Sequence, residues 1–122
     1  MTNPFRDQAK FMTACDQTVN KTNSNQYTLY LNLIKEEVKE LAEAISADDT
    51  VEQLDALIDI LVVTIGAIHS AGFDAEGAWK EVMSTNFAKI GKDGKVRKRE
   101  DGKVLKPLGW TAPALAPFAS KQ

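Results

Sequence analysis

Apolar residues recur at intervals of three and four along most of the first 90 residues, which is the spacing of one face of an α-helix. The clearest pattern runs from Tyr27 to Ile45, with no glycine or proline inside it. A second strong segment follows, for which Asp49 or Thr50 can act as the N-cap and Gly72 as the stop. Two weaker segments flank this pair. The pattern therefore predicts four helices, over residues 5–19, 27–45, 50–71 and 75–90.

Beyond Gly91 the chain changes character. Asp93-Gly94 and Asp101-Gly102 are turn signals, and short apolar segments flank the second turn. Three prolines and one glycine in the last sixteen residues exclude a long helix there (Pro107, Gly109, Pro113 and Pro117). We predict an all-α fold with a short C-terminal hairpin or ordered loop and an extended tail.

The length of 122 residues predicts a single domain over 1–122, with a helical core at about 5–90 and a basic loop and tail at 91–122. The lone cysteine, Cys15, excludes an internal disulfide and agrees with a reducing, cytoplasmic setting. The N-terminus lacks the apolar core of a signal peptide. Polar residues interrupt the apolar segment 54–71, so we interpret it as a buried helix with no membrane as partner.

The third predicted helix is apolar on nearly every side, and the chain offers only one other strong helix to cover it. A domain of this size also buries a limited share of its surface when it folds alone. We therefore predict a homo-oligomer, either a dimer or a dimer of dimers, whose antiparallel helical hairpins form a four-helix-bundle core.

Acidic residues enter the apolar faces of the two central helices. A rotation of about 100° per residue places Glu37 and Glu40 on the apolar side of the second helix. On the third helix Glu52, Asp55 and Asp59 form a single line. Because a short turn makes these helices antiparallel, the two sets of carboxylates can converge.

These acids have few cations to neutralise them. Residues 36–59 hold nine acids and one base, Lys39, and the third helix contains no lysine or arginine. Clustered carboxylates repel one another, whereas a hard divalent ion binds several carboxylate oxygens at once. The pattern favours a Mg²⁺ site, with Mn²⁺ as a second possible ion. The alternative is a solvated face or a set of structural acids in salt bridges.

The string Glu37-x-x-Glu40, followed after eleven residues by Glu52-x-x-Asp55, resembles the ExxE…ExxD signature of the all-α nucleoside triphosphate pyrophosphohydrolases, the MazG-like superfamily. The similarity covers roughly residues 28–106 and includes the apolar positions around both motifs. Asn86-x-x-Lys89 is similar to a later motif of the group. The segment 102–110 resembles the C-terminal extension of a phage and bacterial branch, which implies a stand-alone enzyme.

The resemblance implies that Glu37, Glu40, Glu52 and Asp55 are metal ligands and that Glu36 is the extra acid that some members carry. A shift of one helical turn would recruit Asp59 as a further ligand. The implied reaction is metal-dependent hydrolysis of a nucleoside or deoxynucleoside triphosphate to the monophosphate and pyrophosphate. A carboxylate that the metal leaves free, Glu36, would then take the proton from the attacking water.

Residues 86–106 carry eight lysines and arginines against three acids, although the net charge of the whole chain is only −2. The overall charge gives no reason to expect nucleic acid as a partner. The basic block is either a solvated loop, a nucleic-acid patch or a site for substrate phosphates. On the third interpretation Asn86, Lys89, Lys103 and Lys106 bind substrate. Trp110 could pack on a neighbouring subunit or over a nucleobase, and the sequence leaves this open.

A second function class also fits the sequence. A non-catalytic helical interaction module would use the acids as a surface and the basic loop to bind a protein or nucleic acid. Release of pyrophosphate from a nucleotide distinguishes the two hypotheses.

Overall fold

The computed structural model describes residues 2–119, and this part of the chain contains four α-helices and no strand. The helices are α1 (Pro4–Ala14), α2 (Ser24–Ser46), α3 (Thr50–Ala71) and α4 (Ala75–Phe87), followed by a 3-10 helix at Ala116–Phe118. The predicted all-α fold is confirmed. Met1 and residues 120–122, the end of the predicted tail, lie outside the described residues.

The chain divides into two compact units, residues 2–75 and residues 76–118. In the first unit α2 and α3 pack as an antiparallel hairpin, and α1 packs against α3. The second unit contains nearly all of α4, the basic loop and the tail as far as Phe118. The assignment of residues 1–122 to one domain stays a prediction.

Polar caps and one glycine set the ends of the helices. Asn3 and Asn23 cap α1 and α2 through their side-chain oxygens. Asp49 Oδ1 accepts a hydrogen bond of 3.1 Å from the backbone N–H of Glu52, which confirms the predicted cap of α3. Gly72 ends α3 with φ at +75°, in the left-handed region that favours glycine.

Two helices are shorter than the sequence pattern predicted. α1 ends at Ala14 and does not reach Val19, because Asp16 and Asn20 adopt φ values of +59° and +58° that a right-handed helix excludes. α4 ends at Phe87, before the predicted stop at Gly91. In the basic loop, one antiparallel bridge joins Lys98 and Val104 around the predicted turn.

The end of the α2–α3 hairpin farthest from its turn holds the packed core. Met12, Tyr30 and Ala67 form the buried cluster, with partly buried Tyr27, Val19, Leu33, Ile34 and Val63 around it. Gly66 allows α3 to approach the ring of Tyr30, since a Cβ at that position would lie 2.5 Å from Cδ1 of the ring. This contact sets the spacing of the two helices.

A buried polar network closes the same end of the hairpin. The hydroxyl of Ser70, fully buried, donates to the Gly66 carbonyl at 2.7 Å and accepts from Gln26 Nε2 at 2.8 Å. Gln26 also bonds the backbone of Thr18, accepting at 2.9 Å and donating at 2.7 Å. The network ties the loop between α1 and α2 to the last turn of α3.

Large apolar side chains are exposed at the turn end of the hairpin. Val51 is 74% exposed and Leu54 is 62% exposed, and their neighbours on the two helices are similar (Val38, Ile45, Leu57, Ile58 and Leu61). We call these seven residues the apolar face. The prediction that α3 is buried therefore holds for its C-terminal half and fails for its N-terminal half in the single chain.

By length and composition alone, α3 could cross a membrane, since its most apolar window has a mean hydropathy of 1.7. The core helix of a soluble protein has the same properties. Of that window 44% is buried within the chain. The composition of α3 therefore gives weak evidence for a membrane span.

The Gly66 contact makes a prediction about stability. Gly66→Ala should lower the free energy of unfolding by about 1–3 kcal/mol, because the added methyl group overlaps a buried aromatic ring. The higher helix propensity of alanine, about 1 kcal/mol, offsets only part of this cost. Urea denaturation at fixed protein concentration measures the change.

A Tyr30→Leu background provides the control for the Gly66→Ala substitution. Removing the ring should shrink the cost of the methyl group. An equal cost in both backgrounds would show that the ring does not set the helix spacing.

Candidate functional site

The structure places the six candidate acids of α2 and α3 toward the turn end of the hairpin. Glu37 and Asp59 are half-buried. The other four acids are exposed (Glu36, Glu40, Glu52 and Asp55). Of the acids predicted on the two helical faces, Glu37 and Asp59 are thus partly covered. Glu40, Glu52 and Asp55 are exposed in the single chain, where the apolar face on the same two helices is itself uncovered.

Glu37 is the most constrained of these acids. Its Oε2 atom is buried and has no hydrogen-bond partner in the described part of the chain. Burial, a hydrogen bond to the carboxylate of Glu40 and the charges of Asp59 and Asp55 raise the pKa of Glu37 from 4.5 to about 7. Near neutral pH this carboxyl therefore gains stability when it binds a positive charge, either a proton or a metal ion.

Asp59 belongs to the same electrostatic group. Burial raises the pKa of Asp59, and the negative charges of Asp55 and Glu40 raise it further. Glu37, Glu40, Asp55 and Asp59 thus act on one another across the two helices, and we call them the acid group. Glu36 and Glu52 do not figure among the charges that raise the pKa of Glu37 or Asp59.

No described lysine or arginine neutralises the acid group. Within residues 2–119 none of its four members forms an ion pair, whereas Arg99 pairs with Asp101 in the other unit. Lys39, the single base among residues 36–59, is exposed. The structure therefore does not support the alternative in which these four acids are held in salt bridges.

The donor chemistry of the acid group fits a hard divalent cation. All of its side-chain donors are carboxylate oxygens, which Mg²⁺ and Mn²⁺ prefer. The buried Oε2 of Glu37 is a possible metal ligand that forms no hydrogen bond with the described residues. Among residues 2–119 no three Asp, Glu, His or Cys side chains are already arranged to hold an ion. Because Glu40 and Asp55 are exposed, their side chains are free to change rotamer.

The second unit brings together three of the four predicted substrate-binding residues with Trp110. Lys89 Nζ donates to Asn86 Oδ1 at 3.0 Å. The ammonium groups of Lys89 and Lys106 each lie 5.0 Å from the centroid of the Trp110 ring. Lys103 lies in the turn of the basic loop, where its backbone N–H donates to Asp101 at 3.0 Å. The structure does not place Lys103 at this ring.

Side chains on the periodic face of α4 are only partly buried. Asn86 is half-buried, and its amide lies 3.7 Å from the sulfur of Met83. Trp79 is 58% exposed. The periodic face of α4 is therefore only partly covered by the described residues.

His69 has a structural role. It is buried, and its Nε2–H donates to the carbonyl of Phe5 at 2.9 Å. Its Nδ1 lies 2.7 Å from the side-chain oxygen position of Asn20. These contacts join α1 and the following loop to the end of α3, and within residues 2–119 His69 belongs to no group of three or more His, Cys, Asp or Glu side chains that could hold a metal ion.

Comparison with known families adds an independent observation. The model of the phosphoribosyl-ATP pyrophosphohydrolase family matches residues 9–86, more than half of the chain. The chain belongs to this family. The family lies within the all-helical MazG-like superfamily, so the resemblance noted in the sequence is confirmed. Family membership supports a pyrophosphohydrolase, a hydrolase that acts on nucleotides.

The extent of the match separates two parts of the candidate site. Residues 9–86 include all six candidate acids and Asn86, whereas Lys89, Lys103 and Lys106 lie beyond the matched region. A search of curated proteins finds no match to the chain. The matched region therefore contains the acid group and ends at the start of the basic block.

The raised pKa of Glu37 predicts a pH dependence of stability in the metal-free protein. Above pH 4.5 the unfolded carboxyl loses its proton while the folded one keeps it, so stability should fall as the pH rises to about 7. In EDTA, the melting temperature at pH 8 should be roughly a few degrees lower than the melting temperature at pH 5.5.

Glu37→Gln tests whether Glu37 causes this effect, because glutamine stays neutral at both pH values. The difference in melting temperature between pH 5.5 and pH 8 should shrink in this variant. Glu43→Gln, on the exposed part of the same helix, is the matched control and should keep the wild-type difference. An undiminished difference in Glu37→Gln would contradict the assignment.

Proposed function

We propose that the protein hydrolyses a nucleoside or deoxynucleoside triphosphate to the monophosphate and pyrophosphate, with Mg²⁺ or Mn²⁺ as cofactor. The observation that carries this proposal is the acid group, which has no cationic partner among residues 2–119 and includes a buried oxygen of Glu37 that forms no hydrogen bond within that range. Membership of a pyrophosphohydrolase family supports the reaction class.

The acid group and Glu52 would hold the cofactor. Glu37 and Asp59 are half-buried on facing helices, while Glu40, Glu52 and Asp55 are exposed beside them. When bound, a divalent cation supplies positive charge for the phosphate oxygens and makes a water molecule more acidic. Asp59 is included because its negative charge raises the pKa of Glu37, which supports the shift of one helical turn that would recruit it as a ligand.

Glu36 would serve as the general base. Glu36 lies next to Glu37 in α2, and its side chain is exposed. It is not among the carboxylates that raise the pKa of Glu37. Its carboxylate is therefore available to accept a proton from water that attacks the α-phosphorus. The proton moves to Glu36 as the new P–O bond forms, and the bond to the leaving pyrophosphate breaks.

The basic residues of the second unit would offset the charge of the triphosphate. Lys89 and Lys106 present ammonium groups at one ring, and Asn86 holds Lys89 by a hydrogen bond of 3.0 Å. Lys103 adds charge from the exposed turn of the loop. Charge-assisted contacts from lysine to phosphate are strong and stabilise a departing pyrophosphate.

We also propose that the functional form is a homo-oligomer, a dimer or a dimer of dimers. The apolar face and the acid group lie on the same two helices, toward the same end of the hairpin. A patch of seven large apolar side chains, on the order of several hundred Å², is typical of a protein interface. A second copy packed on this face would complete a four-helix core and bury the acid group further.

Light scattering at micromolar concentration tests this assembly, and the mass should be that of a dimer or a tetramer. Leu54→Gln should reduce the mass toward that of the monomer and lower the melting temperature, because it places an amide in the apolar interface. Lys39→Gln, on the outer side of α2, is the control. A monomeric wild type whose unfolding does not depend on concentration would contradict the shared core.

The reaction itself is tested by incubating the purified protein with each nucleoside and deoxynucleoside triphosphate and with Mg²⁺ or Mn²⁺. Phosphoribosyl-ATP belongs in the same panel because the matching family carries its name. At least one nucleotide should yield pyrophosphate. Absence of product from the whole panel would instead favour the non-catalytic interaction module.

Glu40→Gln should lower turnover by at least about a hundredfold, since it removes one charge from the acid group and preserves side-chain shape. The fold should persist, because Glu40 is exposed and contributes no core contact. Glu43→Gln should retain wild-type turnover. Full activity in Glu40→Gln would show that this carboxylate does not bind the cofactor.

A further inference from the structure

Trp110 is anchored to the last turn of α4. Its indole N–H donates to the backbone carbonyl of Thr85 at 2.7 Å. The other three carbonyls of that turn accept backbone N–H groups instead (Ser84, Asn86 and Phe87). The indole thus bonds the terminal carbonyl that the backbone leaves open, and this bond sets the position of a half-buried ring.

Two lysines converge on this anchored ring. Lys89 and Lys106 come from separate segments, one just after α4 and one at the end of the basic loop. Their Nζ atoms each lie 5.0 Å from the ring centroid, so the separation between the two ammonium groups is at most twice that distance. The ring gathers two like charges that would otherwise repel each other.

Protein groups satisfy this charge only in part. Lys89 donates to the neutral oxygen of Asn86, and neither lysine forms an ion pair within residues 2–119. A cation–π contact at an exposed site is weak and does not cancel the repulsion between two ammonium groups. An anion that contacts both groups would do so.

We propose that Lys89, Lys106 and Trp110 form a preassembled binding site for a pyrophosphate group, in which Trp110 is a positioning residue. Two linked phosphates can contact two separate ammonium groups, which a single phosphate does less well. The ammonium groups also lie over the ring, where a stacked nucleobase would have to bind. The identification of this anion with the departing part of the substrate rests on the proposed function.

Titration calorimetry of the full chain with inorganic pyrophosphate in EDTA tests the site without turnover. Lys89→Gln and Lys106→Gln should each weaken binding about tenfold, the effect of one charge-assisted contact. Lys92→Gln removes the same charge from the same basic block and should stay within about twofold of the wild type. Equal weakening in all three, or no binding to the wild type, would overturn the proposal.

The role of Trp110 is separated from simple helix capping by two variants. Trp110→Phe and Trp110→Leu both lose the N–H that bonds Thr85, so both should lose similar stability. Only Trp110→Phe keeps an aromatic ring for the ammonium groups. The phenylalanine variant loses the bond that positions the ring but keeps the ring itself, so its pyrophosphate affinity should fall less than that of the leucine variant, for which we expect a loss of about tenfold. Equal affinities in the two variants would show that the ring positions nothing.

The outcomes also separate this site from the proposed function. Pyrophosphate binding that depends on both lysines, in a protein that hydrolyses no nucleotide, would support the site and refute the reaction. Turnover in the wild type together with pyrophosphate binding that is insensitive to both lysines would support the reaction and refute the site.

Discussion

Electrostatic repulsion among Glu37, Glu40, Asp55 and Asp59 is the constraint around which the first unit is arranged. The four carboxylates face one another across α2 and α3, and no described cation pairs with them. Burial of Glu37 makes this more costly, because desolvation penalises its charged form. A hairpin that carries such a group must gain its stability elsewhere along its length.

The opposite end of the hairpin provides that stability. The close contact of Gly66 with the Tyr30 ring and the hydrogen bonds of Ser70 and Gln26 hold α2 and α3 together far from the acids. One end of the hairpin is thus packed, while the end near the turn is open, acidic and flanked by exposed leucines and valines. Stability and candidate chemistry occupy different halves of the same two helices.

Much of this arrangement could be predicted from the sequence because it depends on local periodicity. The spacing of apolar residues predicted α2 and α3, and the count of acids against Lys39 predicted that they would lack partners. The early end of α1 could not be predicted, since it depends on left-handed backbone at Asp16 and Asn20. Exposure of Glu40 and Asp55 depends on whether another surface covers the hairpin, which periodicity does not encode.

Contacts between distant residues were also beyond the sequence pattern. The bond of Trp110 to Thr85 joins positions 25 residues apart, and only the fold of the second unit shows that Lys89 and Lys106 meet at this ring. Pro107 and Gly109 excluded a long helix in the tail, but the sequence pattern did not predict the turn in which Gly109 adopts a φ of +80° just before the tryptophan. It also could not identify what the indole would contact.

The most direct test of the central claim is a Mn²⁺ titration followed by electron paramagnetic resonance, which counts free ions without requiring turnover. The wild type should bind Mn²⁺ saturably, Glu37→Gln should bind it at least about tenfold more weakly, and Glu43→Gln should match the wild type. Equal Mn²⁺ affinity in the wild type and Glu37→Gln would contradict the claim that the acid group binds a divalent cation.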